Sequence, residues 1–332
     1  MPLYKWDAIK EYFAKSPILL GNGLSINVWP GFAYSALKDS ADLTPEHEMI
    51  FKFLETDNFE ECLSVLASTA RVNDIYGIPN DEVWDSHQAL RDSLFAAVGK
   101  THIPWSGFPV QSHKIISAEL SKYSAVYSTS YDMSIYWSIM YDNEKGEPFK
   151  DFFWHANEGG SRNLFSADDC TLRGSGVPVY YLHGAIHLWT DDIDEGKITR
   201  GANATKGPGG GKDGISILRQ ALSDHPRRRP LFVSEGSSAD KVRSIAGSDY
   251  LSFCLQRLHA ESGNIVIFGH SLSPQDEHIV KAVASGKAKK IAVGLHCDSD
   301  AERSRIKQLF PGHELNFFDS KTHPLGGNLR SP

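Results

Sequence analysis

Three short stretches, far apart in the chain, place chemistry-bearing residues at the end of an apolar run. They are Gly21-Asn22-Gly23-Leu24-Ser25 after residues 17–20, Thr129-Ser130-Tyr131-Asp132 after 125–128, and His183-Gly184 after 179–182. Glycines directly after a strand allow a tight turn and close approach of backbone N–H groups to a phosphate, with the next helix presenting its positive end. The bland alternative is a plain strand-to-helix turn, and the third glycine of the dehydrogenase fingerprint is missing, since Ile26 stands in its place. Asp132 can cap a following helix or bind a polar ligand group. His183 follows an apolar strand and precedes a glycine that leaves room for a ligand, so it can act near pH 7 as a base or orient a sugar hydroxyl. A buried histidine bonded to a backbone carbonyl is the competing reading. A fourth stretch, Phe268-Gly269-His270-Ser271-Leu272-Ser273, again runs from strand to turn, and Ser271 with the turn amides can hold a second phosphate or a ribose. Pro274-Gln275-Asp276-Glu277-His278 then opens a helix.

The elements that must position these residues follow from periodicity. Trp6, Ile9, Tyr12 and Phe13 recur at helix spacing until Pro17 stops the helix. From 35 to 120 the apolar positions keep a helical period, as in Ile50, Phe51, Phe53 and Leu54 or Leu90, Leu94, Phe95 and Val98. That is more than one crossover helix needs, so residues 35–120 are expected to form an inserted helical subdomain able to cap the crevice. Strands are expected at 17–20, 125–128, 178–182, 231–234, 264–269, 290–295 and 314–318. Their alternation with helices predicts an α/β, Rossmann-like domain over residues 1–332, with a mostly parallel sheet of about seven strands and helices on both faces. Strand carboxyl ends then share one edge, and the four stretches converge on one crevice.

Several other chemistries are disfavoured. His187 would share a face with His183 on a helix, but no intervening Glu and no third ligand are in register, so no metal is expected. Lys206-Gly207-Pro208-Gly209-Gly210-Gly211-Lys212 lacks the order of a phosphate loop and is followed by Asp213, so residues 190–229 are expected to be a flexible polar insertion. Arg227-Arg228-Arg229 is expected to be a solvated turn, and a net charge of -7 argues against a nucleic-acid partner. Cys62, Cys170, Cys254 and Cys297 are too scattered for a zinc ribbon or disulfide framework, which fits a reducing cytoplasm. The N-terminal residues lack a signal-peptide core, and no apolar run approaches the roughly 20 residues that span a bilayer, so no membrane role is expected.

Taken together, the glycine turn with Ser25, the Thr-x-x-Asp strand end, the His-Gly strand end and the Gly-x-Ser-Leu turn resemble the NAD-binding core of the sirtuin superfamily. They are most similar to the sirtuin-like domains of bacterial NAD-consuming and anti-phage defence proteins. The resemblance runs from about Pro17 to Leu295. It implies that Gly21, Asn22, Gly23, Ser25 and Thr129 bind the cofactor, that Asp132 serves the nicotinamide side, that His183 works at its ribose, and that Gly269 and Ser271 contact the adenosine half. Two departures matter. Ser130 stands where the family has Asn, so Asn22 would have to substitute in placing water, and no four-cysteine zinc ribbon is present, which disfavours deacylation. The expected function is therefore NAD(+) glycohydrolysis, with restraint by a homo-oligomer or a regulatory protein. A sensor that binds NAD or an ADP-ribose derivative without turnover is the second reading. A serine hydrolase using Ser271, with Asp298 or Asp319 and His313 or His323, is the third, although Ser273 occupies the position where a nucleophile elbow needs glycine.

Overall fold

The structure, a computed structural model, describes residues 3–104, 107–143, 149–156, 162–169, 176–198, 222, 224–225, 227–234, 236–286 and 290–330. Seven strands form a wholly parallel sheet: β1 (Ile18–Leu20), β2 (Val126–Ser128), β3 (Phe149–Lys150), β6 (Val177–Tyr181), β10 (Ile265–Phe268), β11 (Lys290–Leu295) and β12 (Glu314–Asp319). Their spatial order is β12-β11-β10-β1-β2-β6-β3. Every residue of β1, β2 and β10 is buried, on both faces of the pleat, which is what strands covered by helices on either side require. Ile, Val and Leu supply most of these positions because branched side chains fit a pleated, packed surface. The chain therefore has an α/β, Rossmann-like fold.

Twelve α-helices are described. After α1 (Trp6–Ile9) and α2 (Asn22–Val28), which directly follows β1, come α3 (Tyr34–Ser40), α4 (Pro45–Phe53), α5 (Phe59–Tyr76) and α6 (Asp81–Thr101). Local chemistry sets their bounds: Thr44 caps α4 through a reciprocal box with His47, Asn58 caps α5, and Gly77 at φ 64° ends it. Helices α3 to α6 pack on one another, whereas α7 (Val110–Leu120) packs on α8 (Ser134–Asn143) after β2. Four further helices, α9 (Ser238–Ala246), α10 (Asp249–His259), α11 (Glu277–Ser285) and α12 (Asp300–Leu309), accompany the later strands. No helix among the described residues is long and apolar enough to cross a membrane.

One strand of the sequence reading belongs elsewhere. The segment at 231–234 contributes to β9 (Arg229–Phe232), which lies in a second, antiparallel sheet with β4 (His155–Ala156), β5 (Arg162–Leu164), β7 (Gly184–Thr190) and β8 (Glu195–Lys197). The seventh parallel strand is the two-residue β3, too short to stand out as an apolar run. Of the insertion expected at 190–229, the start pairs as the β7–β8 hairpin, while residues 199–221, including the glycine-rich run, lie outside the described residues, as does Cys170.

Candidate functional site

Strands β2, β6 and β3 lie on one side of β1, and β10, β11 and β12 lie on the other. The order therefore reverses between β1 and β10, the place where open α/β sheets hold their ligands. A cavity of about 560 Å³ opens there, lined by Gly21, Asn22, Gly23, Thr129, Ser130, Asp132, His183, Gly269 and Ser271 among others. Its volume lies in the range of sites for small molecules and cofactors. Tyr34 and Leu37 of α3, Glu60 of α5, and Leu94 and Val98 of α6 build one wall, and Gly294, His296, Cys297 and Glu302 line the end near β11. Among the described residues, carboxylates enter this lining from four elements, and no Lys or Arg does.

The glycines serve the fold first. A Cβ on Gly21 would lie 2.4 Å from His270 Cα, and one on Gly23 would lie 2.7 Å from Gly269 Cα, so glycine is what lets the β1 and β10 loops touch. Their amides are also taken: Gly21 N–H donates to Phe268 O at 3.0 Å and Gly23 N–H to Gly269 O at 2.8 Å. Helix α2 has only seven residues, so the expected phosphate cradle reduces to amides other than those of the two glycines. Gly184 likewise does not make room for a ligand. At φ 73° it turns the chain from the parallel into the antiparallel sheet, and a Cβ there would lie 2.0 Å from Leu231 O of β9.

Asp132 caps the following helix and also faces the cavity. Its Oδ1 accepts Ser134 N–H at 2.7 Å as α8 begins, its Oδ2 accepts the hydroxyl of buried Ser25, and the residue lines the cavity. Ser25 itself is not among the lining residues, so it orients Asp132 from behind. Ser130 Oγ is buried with no hydrogen-bond partner among the described residues, and Asn22 donates its side-chain amide to Phe32 O at 3.0 Å. Asn22 is thus held in the wall by the loop before α3. Thr129 directs its N–H to Leu20 O.

Glu60, His183, His270 and Asp276 of the lining join a charged cluster beneath the cavity that has little trace in the sequence. Lys241 of α9, fully buried, places Nζ 2.8 Å from Asp276 Oδ1 and 3.0 Å from Glu60 Oε1. Tyr131 Oη lies 2.7 Å from Val233 O and 3.1 Å from Glu60 Oε1, with one hydroxyl proton to share between the two acceptors. His183 Nε2 lies 2.9 Å from His278 Nε2 and 3.8 Å from Asp276 Oδ1, and His270 Nε2 lies 3.5 Å from Asp276 Oδ2. Burial raises the Asp276 carboxyl, but the Lys241 charge, with His183 and His270, more than offsets this and holds it well below the usual carboxylate range. Glu60 goes the other way, because burial outweighs its contact with Lys241. Burial, reinforced by the Lys241 charge, holds His183 well below the ordinary imidazole range, and burial takes His278 down to about 4. His183 is therefore neutral at pH 7 instead of titrating there. Asp276 and His278 fall in the segment that visibly opens a helix, but Glu60 and Lys241 read as solvated helix charges until the tertiary fold buries them.

His187 does not join His183. It lies on β7, not on a helix, and stacks on Tyr136 with ring centroids 4.3 Å apart. His183, Asp276 and His278 have donor atoms within 4.8 Å of one another, close enough for a metal ion, but the Lys241 ammonium already neutralises Asp276 there. The serine hydrolase constellation is not assembled. His323 bonds Tyr123 at 2.9 Å in the core, His313 stacks edge-on to Phe310, Asp298 is held by Arg303, and Asp319 accepts from Lys321 N–H.

Fold and crevice together define a doubly wound α/β protein with its cavity at the switch point. The chain belongs to the family described as Domain of unknown function (DUF4917), whose model matches residues 18–325. A comparison with curated proteins finds no match. Solved structures similar to the chain include that of Sir2Tm bound to a propionylated peptide, with 13% identity and a TM-score of 0.38 over 95% of this chain and 93% of that one. Another is described as the structural basis for the mechanism and regulation of Sir2 enzymes, with 11% identity and a TM-score of 0.39 over 98% and 95% of the two chains. Likeness at this level says nothing about ligand or reaction.

Proposed function

We propose that the cavity binds NAD and that the chain hydrolyses the nicotinamide–ribose bond, giving nicotinamide, ADP-ribose and a proton. The observation that carries this reading is the convergence of Asp132 and His183, from separate strand ends, on one switch-point cavity, with Asp132 paired to no cation among the described residues. That carboxylate suits a ligand whose reacting end is cationic. The nicotinamide ring of NAD carries a positive charge that passes to an oxocarbenium-like ribose as the bond breaks, so a carboxylate at this end of the cavity favours binding and bond cleavage. Asp132, oriented by Ser25 and Ser134, serves the nicotinamide side, and His183 serves the ribose. The pyrophosphate would rest on backbone amides and on Ser271. Restraint by self-association or a regulatory protein, and a place in bacterial anti-phage defence, rest on the sirtuin resemblance alone.

The test is release of nicotinamide from NAD by purified protein, with His183→Ala in parallel. Release by both proteins at the same rate removes His183 from the mechanism, and release by neither sinks hydrolysis. A second reading, an NAD sensor without turnover, is favoured by Ser130 and by Asn22 being tied to Phe32 O, which leaves no mobile side-chain amide to place water. Its signature is a melting temperature raised by NAD that stays intact over hours.

A further inference from the structure

The 2.9 Å contact between His183 Nε2 and His278 Nε2 requires one nitrogen to donate and the other to accept. The direction is set one residue further out, at the start of α9. Ser238 Oγ accepts the backbone N–H of His278 at 2.9 Å and lies 3.1 Å from His278 Nδ1. Its hydroxyl proton has no other acceptor among the described residues. Were Nδ1 protonated, the half-buried Ser238 would face two N–H donors and its own O–H would have to turn to solvent, away from the one protein acceptor beside it. With that O–H donating to Nδ1, every group is satisfied. His278 then carries its proton on Nε2 and gives it to the lone pair of His183 Nε2, which leaves His183 protonated on Nδ1. Asp276 does not reverse this order: its Oδ1 is 3.8 Å from His183 Nε2, beyond hydrogen-bond reach, and is already bonded by Lys241 Nζ. His183 Nδ1 has no partner among the described residues, and His183 lines the cavity.

We propose that Ser238 and His278 are positioning residues that hold His183 in its Nδ1–H tautomer, so that it meets its ligand as a neutral hydrogen-bond donor and not as a general base. The ligand group it takes is an oxygen lone pair. On the NAD reading, on which only the ligand's identity rests, that oxygen belongs to the ribose on the nicotinamide side. Acting as a base through Nδ1 would require both imidazoles to exchange tautomers and would cost the Ser238 hydroxyl its bond to His278 Nδ1. Burial among Lys241, Asp276, His270 and His278 keeps the ring uncharged, so the tautomer alone decides what it offers.

The test is two-bond ¹H–¹⁵N NMR of the full chain labelled at histidine, with His183 assigned from the His183→Ala spectrum. In wild type, His183 is expected to show a protonated Nδ1 and an unprotonated Nε2. In His278→Leu and in the milder Ser238→Ala it is expected to move toward the other tautomer, and in His278→Gln, whose side-chain amide can still donate, to stay. Turnover of NAD should fall about tenfold in kcat for His278→Leu with KM nearly unchanged, the worth of one positioned hydrogen bond, and recover in part in His278→Gln. A wild-type His183 protonated on Nε2, or a tautomer unmoved in Ser238→Ala, overturns the proposal. If no NAD is turned over, the hydrolysis reading fails while the spectra still decide the tautomer, and Ser238→Ala decides it if His278→Leu does not fold.

Discussion

Replacing Lys241 by Met is expected to destabilise the protein severely, and in a pH-dependent way. The ammonium is fully buried, 2.8 Å from Asp276 Oδ1 and 3.0 Å from Glu60 Oε1, and it ties α5 to α9 and to the loop before α11. Methionine keeps most of the volume and none of the charge, so two carboxylates are left unmatched. Removing one side of a buried ion pair costs about 3–5 kcal/mol. That is a large share of the roughly 5–15 kcal/mol that holds a native domain together. At about 2–4 °C per kcal/mol, the melting midpoint should fall by about 6–20 °C. Burial already raises the Glu60 pKa in the native protein against the opposing Lys241 charge, and loss of Lys241 raises it further. The folded variant then binds a proton that the unfolded chain releases, so its stability falls as pH rises through the folded pKa of Glu60 and recovers as pH drops toward the unfolded value of about 4.3. The penalty should therefore be largest at pH 8 and shrink toward pH 5, and adding Glu60→Gln should return part of it at pH 8. Urea denaturation followed by tryptophan fluorescence at pH 5, 6.5 and 8 reads both effects. A loss below about 1 kcal/mol at pH 8, or one independent of pH, would refute the view that this cluster is held by its one cation.

Three further outcomes follow from the geometry. Gly184→Ala places a Cβ 2.0 Å from Leu231 O at a positive φ, so it should cost about 3 kcal/mol or more, and a melting temperature equal to wild type would show that the corner between the sheets is not needed. Gly21→Ala pushes the β1 loop off His270 Cα and should weaken binding of NAD, read by thermal shift, more than an exposed glycine such as Gly263 replaced in the same way, which has open space around it. Acid should unfold the protein early. His113 and His278 are held down to about 4 and His323 to about 3, chiefly by burial, so the unfolded chain takes up protons first and stability drains away as pH falls from about 6.5 toward 4. A denaturation free energy flat across that window would contradict the burial of these rings as neutral groups.

Local pattern was enough to show six of the seven parallel strands, most plainly β1, β2 and β10, which are buried on both faces, and enough to show that chemistry-bearing residues follow four of them. The same logic put Gly21, Asp132, His183 and Ser271 at one sheet edge, since parallel strands cannot end elsewhere. What the pattern did not hold was the reason for the glycines. Gly21, Gly23 and Gly184 look alike in sequence whether they admit a ligand or a neighbouring strand, and only the packed β9 and β10 loops show that it is the neighbour. The second sheet escaped for a related reason: β4, β5 and β8 have only two or three residues each, and β9 reads the same whether it pairs parallel or antiparallel. Of the charged cluster at the cavity, the half made by Glu60 and Lys241 was illegible. Glu60 and Lys241 sit 181 positions apart on helices of ordinary polarity, and a charge run along a chain does not say which charges will be desolvated together. Burial is a property of the folded whole. It takes Glu60, Lys241, Asp276 and the histidines out of water at once, and this shared desolvation, not the residue types alone, sets which of them is charged and which carries a proton.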